Sequence, residues 1–509
     1  MSRQRSASYV LPAEGARALL EMAGDTLESR ILEDGPARPF ILLDTFDQRL
    51  GKSGRLLLQC DGCLHLLADG GQRLAQAASG GFRFVADLAD GPVREALADI
   101  SPLRSLLSMG SGQWWQGACA FVDDVGKTRA RMRLDSLSTR EGEASTLVTL
   151  HGLRGYGGAF DMLSATIEAS GGQPLSTSGL SQRLFPERPD YDPRPDVPIA
   201  PDASARDVAT GIIAACLPVA RANEQGIRED LDTEFLHDYR VALRKIRSVL
   251  SLFKGVYDDA QTEALARRFS ALMARTGPLR DLDVYLLERE QFAALVPASL
   301  HPGLDRMFDI FAARRAAELT RLRRHLGSPS YLAEMSDLER HFRAANPPEP
   351  GAHAQDPAIA FASRLIRKRY RKICAIADAL DDSSPDEDVH RLRIQCKKLR
   401  YLMEFFAPAF GPGDVAALLK PLKRLQDNLG LFNDYSVQQT SLQAFVDGLS
   451  GVSEQEKLEL AQSVGALIAV LYARQQEERR KVVANFERFN DSQTRKRFRS
   501  LLGQRKDRP

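Results

Sequence analysis

The sequence predicts an α+β multidomain protein, a β-rich first part followed by an all-helical second part, and three observations carry that prediction. Residues 8–185 alternate short apolar runs with turn residues. Pro186 to Pro201 hold six prolines in sixteen residues, a backbone that neither a helix interior nor a central strand accepts. From Ser204 onward apolar residues recur at helical spacing, and one eleven-residue pattern occurs there twice, 153 residues apart.

In the first part, Phe40 to Asp47 and Arg55 to Cys60 read as strands, and Asp61-Gly62 joins the latter to Leu64–Leu67 as a hairpin. Thr128 to Leu134 and Ser145 to Leu150 alternate polar and apolar residues at period two, as half-buried strands do. Ala13–Glu21 and Val93–Ser108 carry short helical patterns between the strands. The expected organisation is therefore a β-rich domain over 1–185, a Pro-rich linker over 186–203 and a helical domain over 204–509. A second break, Asn346 to Pro357, divides the helical domain into similar units at about 204–345 and 358–500, each with room for about four helices.

The repeated pattern is HDYRVALRKIR, His237 to Arg247, and HRLRIQCKKLR, His390 to Arg400. At roughly 100° per residue, His237, Arg240, Arg244 and Arg247 fall on one stripe, with Lys245 flanking it. Leu243, Ile246, Val249, Leu250 and Phe253 fall on the opposite side, which is the face for a core. The second copy places His390, Arg393, Lys397 and Arg400 on its stripe, flanked by Lys398, against Leu392, Leu399, Leu402, Met403 and Phe406. The agreement continues to Gly277–Asp281 and Gly430–Asp434, forty residues after each histidine. Asp232 or Thr233 can cap the first basic helix, and Ser384-Pro385-Asp386-Glu387 reads as the start of the second.

Like charges stacked on one helix face repel one another, so a doubled cation ladder calls for a polyanion. The bland alternative is a solvated face neutralised by carboxylates, but no acid lies four or seven residues after either histidine. Arg364, Lys368 and Arg371 form a further run at i, i+4, i+7 and widen the basic surface peripherally; Asp378, Asp381 and Asp382 follow closely and could neutralise it. Charge asymmetry agrees: residues 1–200 hold 21 Lys/Arg against 25 Asp/Glu, residues 201–509 hold 48 against 42.

Other chemistry is thinly represented. Cys60 and Cys63 have zinc-ligand spacing, but no second such pair exists and the intervening Asp-Gly suits a hairpin, so no metal site is expected. Gly51-Lys52-Ser53 resembles the end of a phosphate loop, yet Phe46 stands where its first glycine is needed. No nucleophile or catalytic residue is nominated and no cofactor is implied. Six scattered cysteines suit a reducing cytosol, the N-terminus does not read as a secretory signal, and no apolar run reaches membrane-span length.

The doubled H-x₂-R-x₃-[KR]-[KR]-x-R helix with its glycine–Asp segment resembles the CHAD family, the conserved-histidine α-helical domains, over about residues 200–500. The resemblance implies an all-α domain of two pseudo-symmetric four-helix bundles that binds inorganic polyphosphate in a basic central groove. It carries that role onto His237, Arg240, Arg244, Lys245, Arg247, His390, Arg393, Lys397, Lys398 and Arg400. It also implies a cytoplasmic protein associated with polyphosphate granules. Residues 8–180 resemble a degenerate CYTH domain, the antiparallel triphosphate-tunnel fold, through LLDTFDQRLGKSGRLLLQ, KTRARMRL and LRGYGG. That family's metal-binding ExExK strand should fall near Ser8–Leu11, where SYVLP stands, and its paired arginines near Leu58 and Cys60. Metal-assisted triphosphate hydrolysis needs both sets, so the expectation is a non-enzymatic polyphosphate binder.

Two other readings compete. An active inorganic triphosphatase with a helical polyphosphate-recruiting domain would release phosphate in a magnesium-dependent way. A nucleic-acid binder would also satisfy a cation ladder, but near the stripes only Tyr239 and Tyr401 offer bases a ring to stack on. If the two histidines contact phosphate, affinity for a long phosphate chain should rise as pH falls from about 8 to 6, around the ordinary histidine pKa. A flat titration would remove His237 and His390 from the site.

Overall fold

The structure, a computed structural model, describes residues 5–12, 16–21, 27–69, 72–78, 81–140, 142, 144–173, 177–186, 191–343, 348–381, 384–410 and 412–503. The chain divides into two compact units, Met1–Asp192 and Pro193–Pro509.

The first unit is a nine-stranded, wholly antiparallel sheet among the described residues. Its elements in chain order are β1 (Ser6–Pro12), α1 (Ala16–Leu20), β2 (Glu28–Asp34), β3 (Arg38–Asp44), α2 (Arg49–Lys52), β4 (Arg55–Cys60), β5 (Cys63–Ala68) and β6 (Gln72–Ala77). There follow α3 (Pro92–Ala96), β7 (Leu107–Val122), β8 (Thr128–Ser138), β9 (Ser145–Gly152), α4 (Gly157–Ala169) and α5 (Thr177–Leu184). The strands run β1-β9-β8-β7-β3-β4-β5-β6, with β2 also on β7. Asp61-Gly62 makes the expected hairpin: φ is 48° and 70°, the left-handed pair of a two-residue turn, and Cys60 faces Cys63. The helical pattern over Val93–Ser108 survives only as α3. α3 stops at Ala96 with Leu97 as its C-cap, Pro102 then disfavours helical backbone at Ser101, and Leu107 already opens β7. Of the expected Ala13–Glu21 helix, residues 13–15 lie outside the described residues, α1 covers 16–20 and Glu21 is already in a turn.

β7 escaped the sequence reading because its glycines, Gly110, Gly112 and Gly117, break any simple alternation. They are functional in packing terms. A Cβ on Gly112 would stand 2.1 Å from the carbonyl oxygen of Ser138, and one on Gly110 would meet the ring of Phe185. Val10 of β1 and Leu58 and Cys60 of β4 belong to one apolar cluster with Phe40, Trp114, Leu180 and Leu184.

The second unit is helical: α6 (Ala205–Glu229), α7 (Thr233–Leu252), α8 (Asp259–Arg275), α9 (Gly277–Leu287), α10 (Arg289–Ala293), α11 (His301–Leu326) and α12 (Pro329–Arg343) precede the second break. α13 (Ala358–Ala377), α14 (Asp386–Phe405), α15 (Pro412–Asp447), α16 (Glu454–Phe489) and α17 (Ser492–Gly503) follow it. α6 pairs with α7, α13 pairs with α14, and α7 meets α14. Where the first copy breaks between α8 and α9 at Thr276-Gly277-Pro278, the second runs on as α15, since Leu429-Gly430-Leu431 holds no proline. Asp281 and Asp434 are therefore interior helix residues. Residues 346–347 of the second break lie outside the described residues. The rest of it is pinned, with Asp258 N–H donating to the carbonyl of Glu349 at 2.9 Å and Ala205 N–H to that of Asp356 at 2.9 Å.

The apolar faces of α7 and α14 bury as their periodicity requires, with Leu243, Ile246, Val249, Leu392 and Leu399 all fully enclosed. Phe253 and Phe406, which occupy equivalent positions after α7 and α14, stack on one another with ring centroids 5.1 Å apart and planes at 15°. Phe361 and Phe405 pack edge-on against Phe253. This stack joins the two repeats, so Phe406→Ala should cost about 3–5 kcal/mol, the usual loss for a buried phenylalanine. Urea unfolding of the full chain followed by the helical circular dichroism signal would read it. A midpoint like the native one would show that the stack joins nothing.

Candidate functional site

Both histidines sit at the fifth residue of their helices. α7 is fixed by Asp232, whose carboxylate accepts from the N–H groups of Glu234 (2.9 Å) and Phe235 (3.3 Å). α14 starts without a side-chain cap at Pro385, and Asp386, Glu387 and Asp388 in its first turn suit the positive end of the helix dipole. The Ser384 hydroxyl is turned instead to Asp381 at 2.9 Å.

Each histidine meets the residue 43 positions later. Arg280 Nη2 lies 3.1 Å from His237 Nδ1, and Asn433 Oδ1 lies 2.9 Å from His390 Nδ1. A guanidinium has no acceptor, so His237 Nδ1 accepts and Nε2 carries the ring's outward N–H. Asn433 turns its amide nitrogen to Asp434 Oδ1 at 3.4 Å, which leaves its oxygen for a donating Nδ1 on His390. The Nδ1 atoms of the two equivalent rings thus take opposite hydrogen-bond roles. Arg280 was not among the residues expected at the site, although it lies within the repeated GPLRD segment.

Arg240 is held by two oxygens, Thr276 Oγ1 at 2.7 Å and the carbonyl of Met273 at 3.3 Å, and its Nε is buried without a partner. Burial lowers its pKa, Asp281 opposes that, and Arg244, Arg280 and Arg247 add to it. Arg393 lies 3.5 Å from Asp434. Its pKa too is lowered, by burial first, with Asp434 opposing and Arg244 adding to the fall. Lys397 is pushed down to about 8 by burial and then by Arg393, Arg244 and Arg400. Arg244 of α7 therefore sits within the field of both Arg393 and Lys397 of α14, and the two stripes share one electrostatic environment. Arg247 is exposed, and Arg400 pairs with Glu404 at 3.4 Å across one helical turn.

The flanking lysines point elsewhere. Lys245 lies near Cys216 of α6, whose thiol burial raises to about 11 against the pull of that lysine. Lys398 is depressed by burial and by Arg369, Lys372 and Lys254. Of the peripheral run, Arg364 pairs with Asp356 at 2.7 Å, while Lys368 and Arg371 are exposed. Asp382, a candidate counter-charge for that run, lies outside the described residues.

A base whose pKa is lower folded than unfolded binds fewer protons in the native state, so stability rises with pH between the two values. Lys397 should contribute such a rise between about pH 8 and its ordinary value near 10.5. Lysine-selective ¹³C NMR should find one amine titrating near 8, moved upward by Arg244→Gln. An unchanged titration in that variant would separate the two stripes.

Residues 211–443 match the model of the CHAD domain family. Among solved structures the chain is similar to the CHAD domain from the plant Ricinus communis, at 24% identity and a TM-score of 0.43, covering 61% of this chain and 95% of that one. It is also similar to PptA from Streptomyces chartreusis, at 16% identity and a TM-score of 0.43, covering 56% of this chain and all of that one. No curated protein matches it.

Proposed function

The helical unit carries a CHAD domain over residues 211–443, a family associated with polyphosphate binding, and from that premise we propose that this chain binds inorganic polyphosphate without transforming it. The observation that carries the reading is the shared field of Arg244, Arg393 and Lys397: cations from both repeats face each other with too little carboxylate between them. Their mutual repulsion favours an anion that reaches several of them together, which a phosphate chain does. The Nε2–H of His237, set by Arg280, is a further donor for a phosphate oxygen. Association with polyphosphate granules follows from the same affinity.

The first unit supports the non-enzymatic reading. Val10, Leu58 and Cys60 sit in an apolar cluster at or beside the positions where triphosphate chemistry needs acids and arginines. Magnesium-dependent release of phosphate from tripolyphosphate by the full chain would overturn this part of the proposal.

Arg244→Gln, Arg393→Gln and Lys397→Gln together should weaken long-chain polyphosphate binding by roughly 100-fold or more. They should also flatten the slope of log affinity against log salt by about 2, on the order of 0.7 for each lost phosphate contact on a single strand. Titration calorimetry at several salt concentrations reads both quantities. Single-stranded RNA competing equally with polyphosphate at equal phosphate concentration would make the site a general polyanion surface.

A further inference from the structure

The helical unit holds a second body of cations outside the two stripes. On α13 the side chains of Lys368, Arg371 and Lys372 are exposed, and among the described residues none of them makes an ion pair. At roughly 100° per residue they cover about 100° of the helix surface opposite Ile366 and Ile373, which are fully buried. The neighbours on either side of this face are also basic. Towards α14, Arg369 donates to Gln395, and Arg369 and Lys372 lie close enough to Lys398 to depress its pKa. Towards α17, Tyr370 stacks on Phe498 with centroids 4.1 Å apart, and Arg367 donates to the carbonyl of Leu502 at 2.7 Å. Arg495 and Arg499 of α17 lie near the Tyr370 hydroxyl and are exposed, and α17 contains no acidic residue. Of the acids that follow α13, Asp381 accepts from the Ser384 hydroxyl at 2.9 Å, and its carbonyl accepts from Arg479 at 3.2 Å.

Positive charge therefore continues from α14 across α13 to α17. We propose that this surface is an exit track on which a long polyphosphate chain, held at one point between the α7 and α14 stripes, lies as it leaves the site past Lys398. The inference rests on the polyphosphate reading of those stripes. Its physical basis is that Lys397 and Lys398, adjacent in sequence, point roughly 100° apart around α14: Arg369 of α13 donates to Gln395, one turn before Lys398, and lies with Lys372 beside Lys398, while Arg244 and Arg393 lie beside Lys397. A chain anchored at Lys397 meets the second surface as an intramolecular event, at a high effective concentration. Exposed lysines and arginines on such a surface contribute affinity by releasing counterions, without a fixed geometry. The track thus selects for chain length, and the stripes select for phosphate.

The test compares tripolyphosphate with a chain of about 100 phosphates, the affinity taken per phosphate, on the full protein at fixed salt. Lys368→Gln, Arg371→Gln, Lys372→Gln, Arg495→Gln and Arg499→Gln together should weaken the long chain about tenfold or more and leave tripolyphosphate within about twofold. All five side chains are exposed, and an unchanged circular dichroism spectrum would show that the helices persist. Undiminished long-chain affinity, or an equal loss for both ligands, overturns the track. The Arg244, Arg393 and Lys397 variant should lose both ligands; if it keeps tripolyphosphate, the reading of the stripes fails with everything built on it. A quintuple variant that loses single-stranded RNA and keeps long polyphosphate would give the surface to nucleic acid instead.

Discussion

The helical unit is organised by a repulsion. Arg244 on α7 faces Arg393 and Lys397 on α14, and burial weakens the solvent screening that would otherwise make such a meeting cheap. Something must hold the two helices at this distance, and the apolar sides of the same helices do so. Leu243, Ile246, Leu392 and Leu399 are fully buried, and the stacked pair of Phe253 and Phe406 joins the helix ends. The core thus holds in place a set of cations that would separate if left to themselves.

Around the cations, a second layer of groups sets direction without cancelling charge. Thr276 and the carbonyl of Met273 hold Arg240, Arg280 reaches His237, and Asn433 reaches His390. Asp281 and Asp434 lower the cost of packing arginines together but are too few to neutralise them. The repeats match in where their histidines sit and differ in chemistry: Arg280 and Asn433 occupy equivalent positions in sequence and give the Nδ1 atoms of the two histidines opposite hydrogen-bond roles. A break at Pro278 on one side and a continuous α15 on the other add a second asymmetry.

The sheet unit shows the reverse relation between fold and chemistry. Its antiparallel order is kept by long strands and by glycines on β7 that allow close approach, while Val10, Leu58 and Cys60 take part in an apolar cluster. Fold persists where packing is satisfied, and catalysis needs particular charges at particular places. An apolar cluster of this kind stabilises the sheet.

Much of this could be read in the sequence because periodicity is a local property. The 153-residue offset and the opposed apolar and basic faces of His237–Phe253 and His390–Phe406 follow from residue spacing alone, and the strands that alternate cleanly follow in the same way. β7 and the short α3 did not, since glycine breaks the pattern in one and the helix of the other stops at Ala96 although the apolar spacing runs on. The sequence by itself therefore determined which residues are cationic, which face of each helix carries them, and that the arrangement occurs twice. Only the tertiary structure decided that Arg244 lies within the field of Lys397, that Lys398 lies within that of Arg369 and Lys372 instead, and that Arg280 reaches His237. Those are distances between segments far apart in the chain, and Coulomb interaction and burial depend on distance in space, which the spacing of residues along one helix does not specify.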